Sequence, residues 1–277
     1  MKKRIMILSC AVIFLLAGTV YFFRFTFHGQ RILYDIFGGN DLHLVSGGKE
    51  LYWFDVYHIN DPGAPMFGRI ENVFMEFNPD LVLVEGGHDT FEGGRDEAIY
   101  DGESAFGAYL AKKNGIPVED IEPPFAKQIE YLQSKYPADD ILAMYLVRQI
   151  SSKQWADDNS GWDFDLSVLD MTHSLIDDGL DYKGKTLEDI LGTVNALLPE
   201  PVNSGNWRDV DIRKMNRVYT GENGSLNPIY NDVTNFRNIY LVNLINEKKN
   251  TYDRIFIVMG GGHIVETKEQ LNEIYSG

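Results

Sequence analysis

The sequence predicts an α/β fold with a mainly parallel sheet, flanking helices and a helical insertion in the middle. Four short apolar segments have the β-branched and aromatic composition of buried strands, and segments with helical spacing of apolar residues separate them. The predicted strands are residues 51–58, 81–85, 116–121 and 252–259. Hydrophobic residues make up 44% of the chain and charged residues 24%, as in ordinary globular proteins. We therefore expect helices packed on a sheet around a hydrophobic core.

The first element is an uncharged apolar segment at residues 5–23, which is long enough to cross a membrane as a helix. Lys2, Lys3 and Arg4 precede it and Arg24 follows it. The heavier positive flank is N-terminal, which favours a cytoplasmic N-terminus and an exported body. We interpret the segment as an uncleaved membrane anchor, so that the protein spans the cell membrane once. The alternative is a cleaved signal peptide and a secreted body.

The only cysteine of the sequence, Cys10, lies within this apolar segment. The exported body therefore has no cysteine for a disulfide, a thiolate nucleophile or a cysteine-rich zinc site. An exported domain without cysteine is typical of a bacterial exterior.

Residues 24–48 form the predicted tether, in which two glycine pairs mark turns. The domain proper is expected at residues 49–277 and begins with the strand at 51–58. Apolar residues three and four apart predict a helix over 69–77. The strand at 81–85 is a continuous apolar run that ends at Glu85, the pattern of a buried parallel strand.

Another predicted helix covers residues 103–114 and ends at Gly115, since glycine commonly follows the last helical turn. After the strand at 116–121, helical patterns dominate and predict an insertion at about 125–230. The predicted helices of this middle part and its flank are 125–135, 139–153, 165–178, 186–198, 209–219 and 232–249. The strand at 252–259 and a helix at 267–275 close the domain.

The formal net charge of the chain is −16, with 25 basic and 41 acidic side chains. Residues 24–277 contain 22 of the basic and all 41 of the acidic ones, so the body has a formal charge of −19. This charge excludes a nucleic-acid binder, which needs a basic surface to neutralise phosphates. It also predicts that anionic lipid headgroups repel the body, which then stands off the membrane on its tether.

Ionisable residues follow each of the four predicted strands. His58 ends the first strand, Glu85 the second, Glu122 follows the third, and His263 follows the last. Because the carboxyl ends of parallel strands meet at one edge of a sheet, we expect these side chains to converge there. Histidine and carboxylate groups in one place can perform acid–base catalysis or bind a divalent metal.

The glycines of the sequence Gly260-Gly261-Gly262-His263 allow the backbone to approach a ligand closely. A phosphate-binding loop of the Walker type would add a lysine and a serine or threonine, and neither follows here. This segment is therefore interpreted as part of the site at the sheet edge, with a simple flexible turn as the alternative.

Two further side chains are candidates for the site. Arg237 lies among apolar residues of the predicted helix 232–249, and facing inward it would need a carboxylate such as Glu85 or Glu122, or an anionic substrate. Glu103 opens the helix 103–114, where it either lines the site or is simply favoured by the helix dipole.

The chain resembles the TraB/GumN family, which groups with Tiki proteases, erythromycin esterases and haem-binding ChaN proteins. The resemblance rests on Val56-Tyr57-His58, on Asn78-Pro79-Asp80 before the strand that ends at Glu85, on Ile121-Glu122, on Phe236-Arg237-Asn238 and on the closing Gly-Gly-Gly-His. These residues cover the chain from about 50 to 275. Two positions depart from the family pattern: the family's glycine before the first histidine is missing, and Asn238 stands where an acidic residue is common.

The resemblance implies a hydrolase of ester or amide bonds, including peptide bonds, with a catalytic site of His58, Glu85, Arg237 and His263. We expect Glu103, Glu122, Gly261 and Gly262 to contact a small-molecule or peptide substrate. Either one histidine activates water, or His58, Glu85 and His263 hold a divalent Mn, Co or Zn ion. The alternative function is a non-catalytic regulator of a peptide signal or a haem-binding protein.

Overall fold

The computed structural model describes residues 34, 39–155, 161–198, 200–210 and 225–276. The predicted anchor at 5–23 and most of the tether lie outside these residues. Within the described part, no helix combines the length and the apolar character that a membrane crossing requires. The chain forms two compact units. We call Met1–Glu122 together with Leu241–Gly277 the sheet unit, and Pro123–Tyr240 the helical unit.

The sheet unit contains a five-stranded mixed sheet in the order β1-β2-β5-β3-β4. The strands are β1 (Leu42–Ser46), β2 (Lys49–Val56), β3 (Leu81–Val84), β4 (Val118–Asp120) and β5 (Arg254–Gly260). β1 pairs with β2 in antiparallel direction, and all the other neighbours are parallel. The predicted α/β class with a mainly parallel sheet is therefore confirmed.

The parallel strands are buried because helices cover both faces of the sheet. One face, which includes Phe54, Val84 and Phe256, packs in a core with α1 (Pro65–Phe77), α2 (Arg95–Asp101) and α3 (Glu103–Lys113). The opposite face, which includes Trp53, Leu83 and Ile257, packs with the end of one long helix and with the C-terminal helix. This double cover explains why each strand is an apolar run without alternation.

Gly107 allows α3 to lie very close to the sheet. A Cβ atom at this position would lie 2.9 Å from Cγ2 of Val258 in β5 and 3.4 Å from Cγ1 of Val84 in β3. These distances are shorter than ordinary carbon–carbon contacts. The glycine therefore fixes the height of α3 above the sheet, and with it the position of Glu103 at the start of the helix.

The helical unit contains α4 (Phe125–Gln133), α5 (Ala138–Trp155), α6 (Phe164–Asp177), α7 (Leu187–Leu197) and the first part of α8 (Asn227–Lys248). The helices enclose a separate hydrophobic core that includes Leu146, Val194 and Trp207. Side chains cap two of the helices at their N-termini: Asp163 accepts from the amide of Leu166, and Thr186 accepts from the amide of Asp189. α9 (Gly262–Ser276) follows β5 in the sheet unit.

The structure differs from the sequence prediction at the N-terminal side of the sheet. Residues 42–46, which were assigned to the tether, form β1. Gly47 and Gly48 both have positive φ angles, 58° and 84°, and connect Ser46 to its partner Lys49. This is a two-residue hairpin turn, for which consecutive glycines are a typical signal. The glycine pair therefore joins two strands instead of marking the end of a tether.

The helices α2 and α9 differ from the prediction. α2 was not predicted. α9 begins at Gly262 and not at residue 267, so that His263 lies in its first turn. The predicted helix 209–219 lies almost wholly outside the described residues.

Candidate functional site

The carboxyl ends of the four parallel strands lie at one edge of the sheet, which we call the carboxyl edge. In the strand register, Val56 of β2 is opposite Gly260 of β5, and Val84 of β3 is opposite both Val258 of β5 and Asp120 of β4. Neighbouring strands are about 4.8 Å apart. The residues that follow these strands, which include His58, Glu85, Glu122 and Gly261, therefore all lie at this edge.

His58 pairs with Glu103, which was predicted only as a residue lining the site. The distance from His58 Nδ1 to Glu103 Oε2 is 3.5 Å. The histidine side chain is 86% exposed, whereas the glutamate side chain is 5% exposed. The arrangement is thus an imidazole that solvent can reach, placed on a carboxylate that solvent does not reach.

The local structure fixes the carboxylate of Glu103 in this position. Glu103 is the first residue of α3, where the helix dipole favours a negative charge. Its Oε1 atom accepts a hydrogen bond from the amide of Ile59, directly after His58 in the chain. One glutamate therefore holds both the histidine and the backbone of the loop that presents it.

The electrostatics of His58 also involve Glu85. Hydrogen bonding to Glu103 raises the pKa of His58 above its ordinary 6.5, and partial loss of hydration on the side of the ring that faces the protein acts in the opposite direction. The negative charges of Glu103 and Glu85 raise the pKa further. The structure thus brings three of the predicted site residues together, because both carboxylates act on the same imidazole.

Asp120 links the ends of β3 and β4 and was not predicted. Its carboxylate accepts a hydrogen bond of 2.9 Å from the amide of Glu122 and further ones from the amides of Gly87 and Ile121. Burial raises the pKa of Asp120, and the charge of Asp89 acts in the same direction. The sequence signal for Asp120 is a carboxylate near the end of the predicted strand 116–121, two residues before the predicted site residue Glu122.

Asp55 in β2 is a second side chain that the sequence reasoning missed. It is buried, with 8% exposure, and burial raises its pKa above the ordinary value. Its carboxylate accepts hydrogen bonds from the amides of Asn40, at 2.8 Å, and Gly261. The signal was present as a charged residue within an apolar parallel strand, where an unpaired carboxylate is costly.

The contact with Asp55 explains why residue 261 is a glycine. A Cβ atom at Gly261 would lie 2.2 Å from Oδ1 of Asp55, which no real side chain tolerates. A Cβ atom at Gly262 would meet no atom within 4 Å. Asp55 therefore fixes the backbone between β5 and α9, from which His263 follows.

His263 is the second residue of α9 and is half-buried. Its carbonyl oxygen accepts a hydrogen bond of 2.7 Å from the hydroxyl of Thr267, a buried residue one helical turn later. β5 lies between β2 and β3 in the sheet, and α9 directly follows β5. His263 therefore lies close to the middle of the carboxyl edge. Its predicted catalytic role stays a prediction.

Arg237 lies on the part of α8 that belongs to the helical unit. It is half-buried, and its positive charge acts on Tyr145 of α5. Burial nevertheless raises the pKa of Tyr145 to about 12, so this tyrosine is neutral at physiological pH. The predicted role of Arg237 beside the histidines at the carboxyl edge stays a prediction.

His58, Glu85 and His263 are the predicted ligands of a divalent metal ion. Among the residues that the structure describes, no group of three or more His, Cys, Asp or Glu side chains is arranged to hold a metal ion. The Nδ1 atom of His58 faces the Glu103 carboxylate, which leaves the Nε2 atom of this ring for a proton or a metal ion. Metal binding by His58, Glu85 and His263 stays a prediction.

The arrangement at the carboxyl edge can move protons. An exposed imidazole with a carboxylate behind it is the geometry in which histidine accepts a proton from water or a hydroxyl group.

Comparisons with known proteins identify no family for this chain. No protein-family model matches it, and neither a curated protein nor a solved structure matches it.

Proposed function

We propose that the protein is a hydrolase of ester or amide bonds in which His58, oriented by Glu103, activates a water molecule. The observation that supports this most is the contact of 3.5 Å between the exposed imidazole of His58 and the buried carboxylate of Glu103. A buried carboxylate fixes the ring orientation and stabilises the imidazolium ion that forms during catalysis. The pair of His58 and Glu103 lies at the carboxyl edge, which is where open α/β sheets bind their ligands.

The proton transfers follow from the atoms that face each other. With Nδ1–H donating to Glu103, the Nε2 atom of His58 has a free lone pair and accepts a proton from water. The water oxygen then attacks the carbonyl carbon of the substrate, and the carbonyl oxygen becomes negatively charged. Collapse of this intermediate breaks the bond to the alcohol or amine, which takes the proton back from His58. Water is consumed, and an acid and an alcohol or amine are released.

The remaining residues of the carboxyl edge have supporting roles in this proposal. Glu85 adds a second negative charge that favours the imidazolium form of His58. The amides around Gly261 and Gly262, together with His263, are candidates for stabilising the negatively charged oxygen. The resemblance to the TraB/GumN family supports the same set of residues, and we propose membership of that family.

We also propose that the protein acts outside the cytoplasm, held by the apolar segment 5–23. The three cations before this segment and the acidic body after it support that topology. The substrate would then be a small molecule or peptide outside the cytoplasm.

The proposal is tested with the full chain in uncharged detergent, screened against p-nitrophenyl esters and a peptide library. We expect His58→Ala to lower kcat/KM by about 10²–10⁴-fold, which is the usual contribution of a general base. His43→Ala is the matched control, since His43 also pairs with a glutamate, Glu50, at 3.1 Å, but on the β-hairpin. Equal activity of His58→Ala and the wild type would refute the proposal.

A further inference from the structure

The chain before β1 is tied to the carboxyl edge of the sheet, and this contact has no role in the proposed mechanism. It is made by Tyr34 and by residues 39–41, which together we call the entry segment. The sequence predicts a tether over residues 24–48 between the anchor and the domain. The contacts of the entry segment show how much of that tether is already part of the sheet unit.

Tyr34 packs against the residue that precedes His58. The ring centres of Tyr34 and Tyr57 are 4.7 Å apart, and the two rings are nearly perpendicular. The hydroxyl of Tyr34 donates to the carbonyl oxygen of Asp55, which is the last residue but one of β2. Burial raises the pKa of Tyr34, so that its hydroxyl keeps the proton that it donates. Tyr34 is thus held at the carboxyl edge, beside the chain that leads into His58.

Arg69 of α1 holds Tyr34 from a second side. Its guanidinium carbon lies 5.0 Å from the ring centre of Tyr34, within the range of a cation–π contact. The same guanidinium lies 3.6 Å from the carboxylate of Asp41, which belongs to the entry segment. Both the sheet and a helix that covers it therefore contact the entry segment.

The entry segment continues along Asp55. The amide of Asn40 donates to the Asp55 carboxylate at 2.8 Å, and the Asp41 carboxylate accepts from the amide of Asp55 at 2.9 Å. A Cβ atom at Gly39 would lie 2.5 Å from Cε2 of Tyr34 and 2.9 Å from Cβ of Asp55, so that only glycine fits there. The entry segment is therefore packed against β2 in both of its described parts.

The position of Tyr34 limits how far the carboxyl edge can lie from the membrane. In the proposed topology the anchor ends at Phe23, and residues 24–33 are the link to Tyr34. These ten residues span at most about 36 Å when fully extended, whereas the predicted tether of 25 residues would span at most about 90 Å. The opposite edge of the sheet lies about 20 Å farther along the seven residues of β5. The carboxyl edge is thus the end of the sheet that the chain holds near the bilayer.

We propose that the candidate site faces the membrane that holds the anchor, and that its substrate is an ester or amide attached to an apolar chain in the same bilayer. This substrate class rests on the proposed function, whereas the orientation of the site rests on the anchor alone. A substrate in the same membrane meets the site at a high effective concentration, because the tether confines both to a short distance. The 86% exposure of the His58 side chain fits such a substrate, since a bond presented from the bilayer needs an open site.

The orientation is tested by energy transfer from a dye on the full chain to acceptor lipids in phosphatidylcholine vesicles. These vesicles have no net charge and do not repel the acidic body. In a Cys10→Ser background, Asn60→Cys places the dye at the carboxyl edge, and Thr251→Cys places it before β5 at the opposite edge. Both positions are exposed, and we expect stronger transfer from position 60. Equal transfer from the two positions, or stronger transfer from position 251, would overturn the proposal.

The substrate class is tested with a fluorogenic ester that is either free in solution or linked through a polyethylene glycol spacer to a lipid in the same vesicles. At equal micromolar concentration, we expect the full chain to hydrolyse the lipid-linked ester at least about tenfold faster. Equal rates for the two esters would overturn the membrane substrate.

The length of the tether is tested by insertion. About 20 Gly and Ser residues inserted after Gly29 lengthen the tether about threefold and should lower the preference for the lipid-linked ester by about threefold or more. The matched control inserts the same residues between Gly47 and Gly48, in the exposed hairpin turn, where the tether keeps its length. Hydrolysis of the free ester should equal that of the wild type in both variants. An equal loss of preference in both variants would contradict the role of the tether.

Further outcomes separate this proposal from the proposed function. Hydrolysis that depends on His58 but is equally fast for both esters would overturn the membrane substrate and leave the catalytic proposal intact. Stronger energy transfer from position 60 without any hydrolysis would refute the catalytic proposal alone, because the orientation does not depend on His58. The products identify the source of the bond. Release of fatty acid from phosphatidylcholine would identify the lipid itself as the substrate, whereas cleavage of the spacer-linked ester alone would identify a molecule that extends from the bilayer.

Discussion

Glu103 organises the candidate site at the scale of a single residue. Its carboxylate is buried, accepts a hydrogen bond from the amide of Ile59 and faces the imidazole of His58. A glutamine at this position keeps the shape and can still accept from the amide, but it lacks the negative charge. The substitution Glu103→Gln therefore separates the electrostatic role of this residue from its structural role.

The pH dependence of hydrolysis should follow the pKa of His58. This pKa lies above 6.5 in the folded protein, mainly because of Glu103. A general base must be neutral, so activity should rise as the pH increases through this raised pKa. In Glu103→Gln the pKa falls toward 6.5, and we expect the rise in kcat/KM to move to lower pH while the maximum falls at least tenfold. An unchanged pH profile between pH 5 and 9 would contradict the pairing.

Gly261 and Gly262 allow a direct comparison of two neighbouring glycines. Alanine at 261 places a Cβ atom 2.2 Å from Oδ1 of Asp55, whereas alanine at 262 meets nothing within 4 Å. We expect Gly261→Ala to lower the free energy of unfolding by about 1–3 kcal/mol, the usual cost of overpacking. Gly262→Ala should change it by less than about 0.5 kcal/mol. Urea denaturation of both variants measures this difference, and equal values would be evidence against the contact with Asp55.

At the scale of secondary-structure elements, the parallel strands could be predicted because burial on both faces makes them continuous apolar runs. The edge strand β1 could not be predicted in this way, since Leu42–Ser46 is short and half-exposed, with Val45 62% exposed. The helix α2 was not predicted because it also buries little apolar surface: only Ala98 and Ile99 in this helix are buried. Elements that bury little apolar surface leave a weak pattern in the sequence.

The sequence likewise predicts part of the candidate site and leaves another part unpredicted. Strand ends identified the positions of His58, Glu85 and Glu122, because topology alone brings them to one edge. The pairing of His58 with Glu103 depends on how closely α3 approaches the sheet, which no sequence period encodes. Asp55 and Asp120 were missed because their partners are backbone amides, which every residue provides.

The approach of α3 to the sheet gives a prediction at this scale. Gly107 in α3 and Gly68 in α1 are both helical glycines, but only Gly107 faces the sheet at close distance. We expect Gly107→Ala to lower stability by about 1–3 kcal/mol and to reduce hydrolysis, because α3 and Glu103 must shift. Gly68→Ala should raise the free energy of unfolding by about 0.5–1 kcal/mol, because alanine has a higher helix propensity than glycine at an exposed helical position. Thermal denaturation and initial rates measure both effects; a stabilised Gly107→Ala variant would contradict the packing.

At the scale of the whole molecule, charge and topology are connected. The formal charge of −19 on residues 24–277 and the three cations before residue 5 place opposite charges on the two sides of the proposed anchor. The proposed topology places the acidic body and its substrate outside the cytoplasm.

This topology can be measured because the natural sequence has a single cysteine, Cys10. In a Cys10→Ser background, a cysteine at Val265, which is 77% exposed on α9, should react with a membrane-impermeant maleimide in bacterial spheroplasts. A cysteine at Lys3 should react only after lysis, because the positive flank is retained in the cytoplasm. The reverse labelling pattern would place the body in the cytoplasm and would remove the basis for an exported hydrolase. Labelling of the Val265→Cys variant in the medium instead of the membrane fraction would show that the segment 5–23 is cleaved.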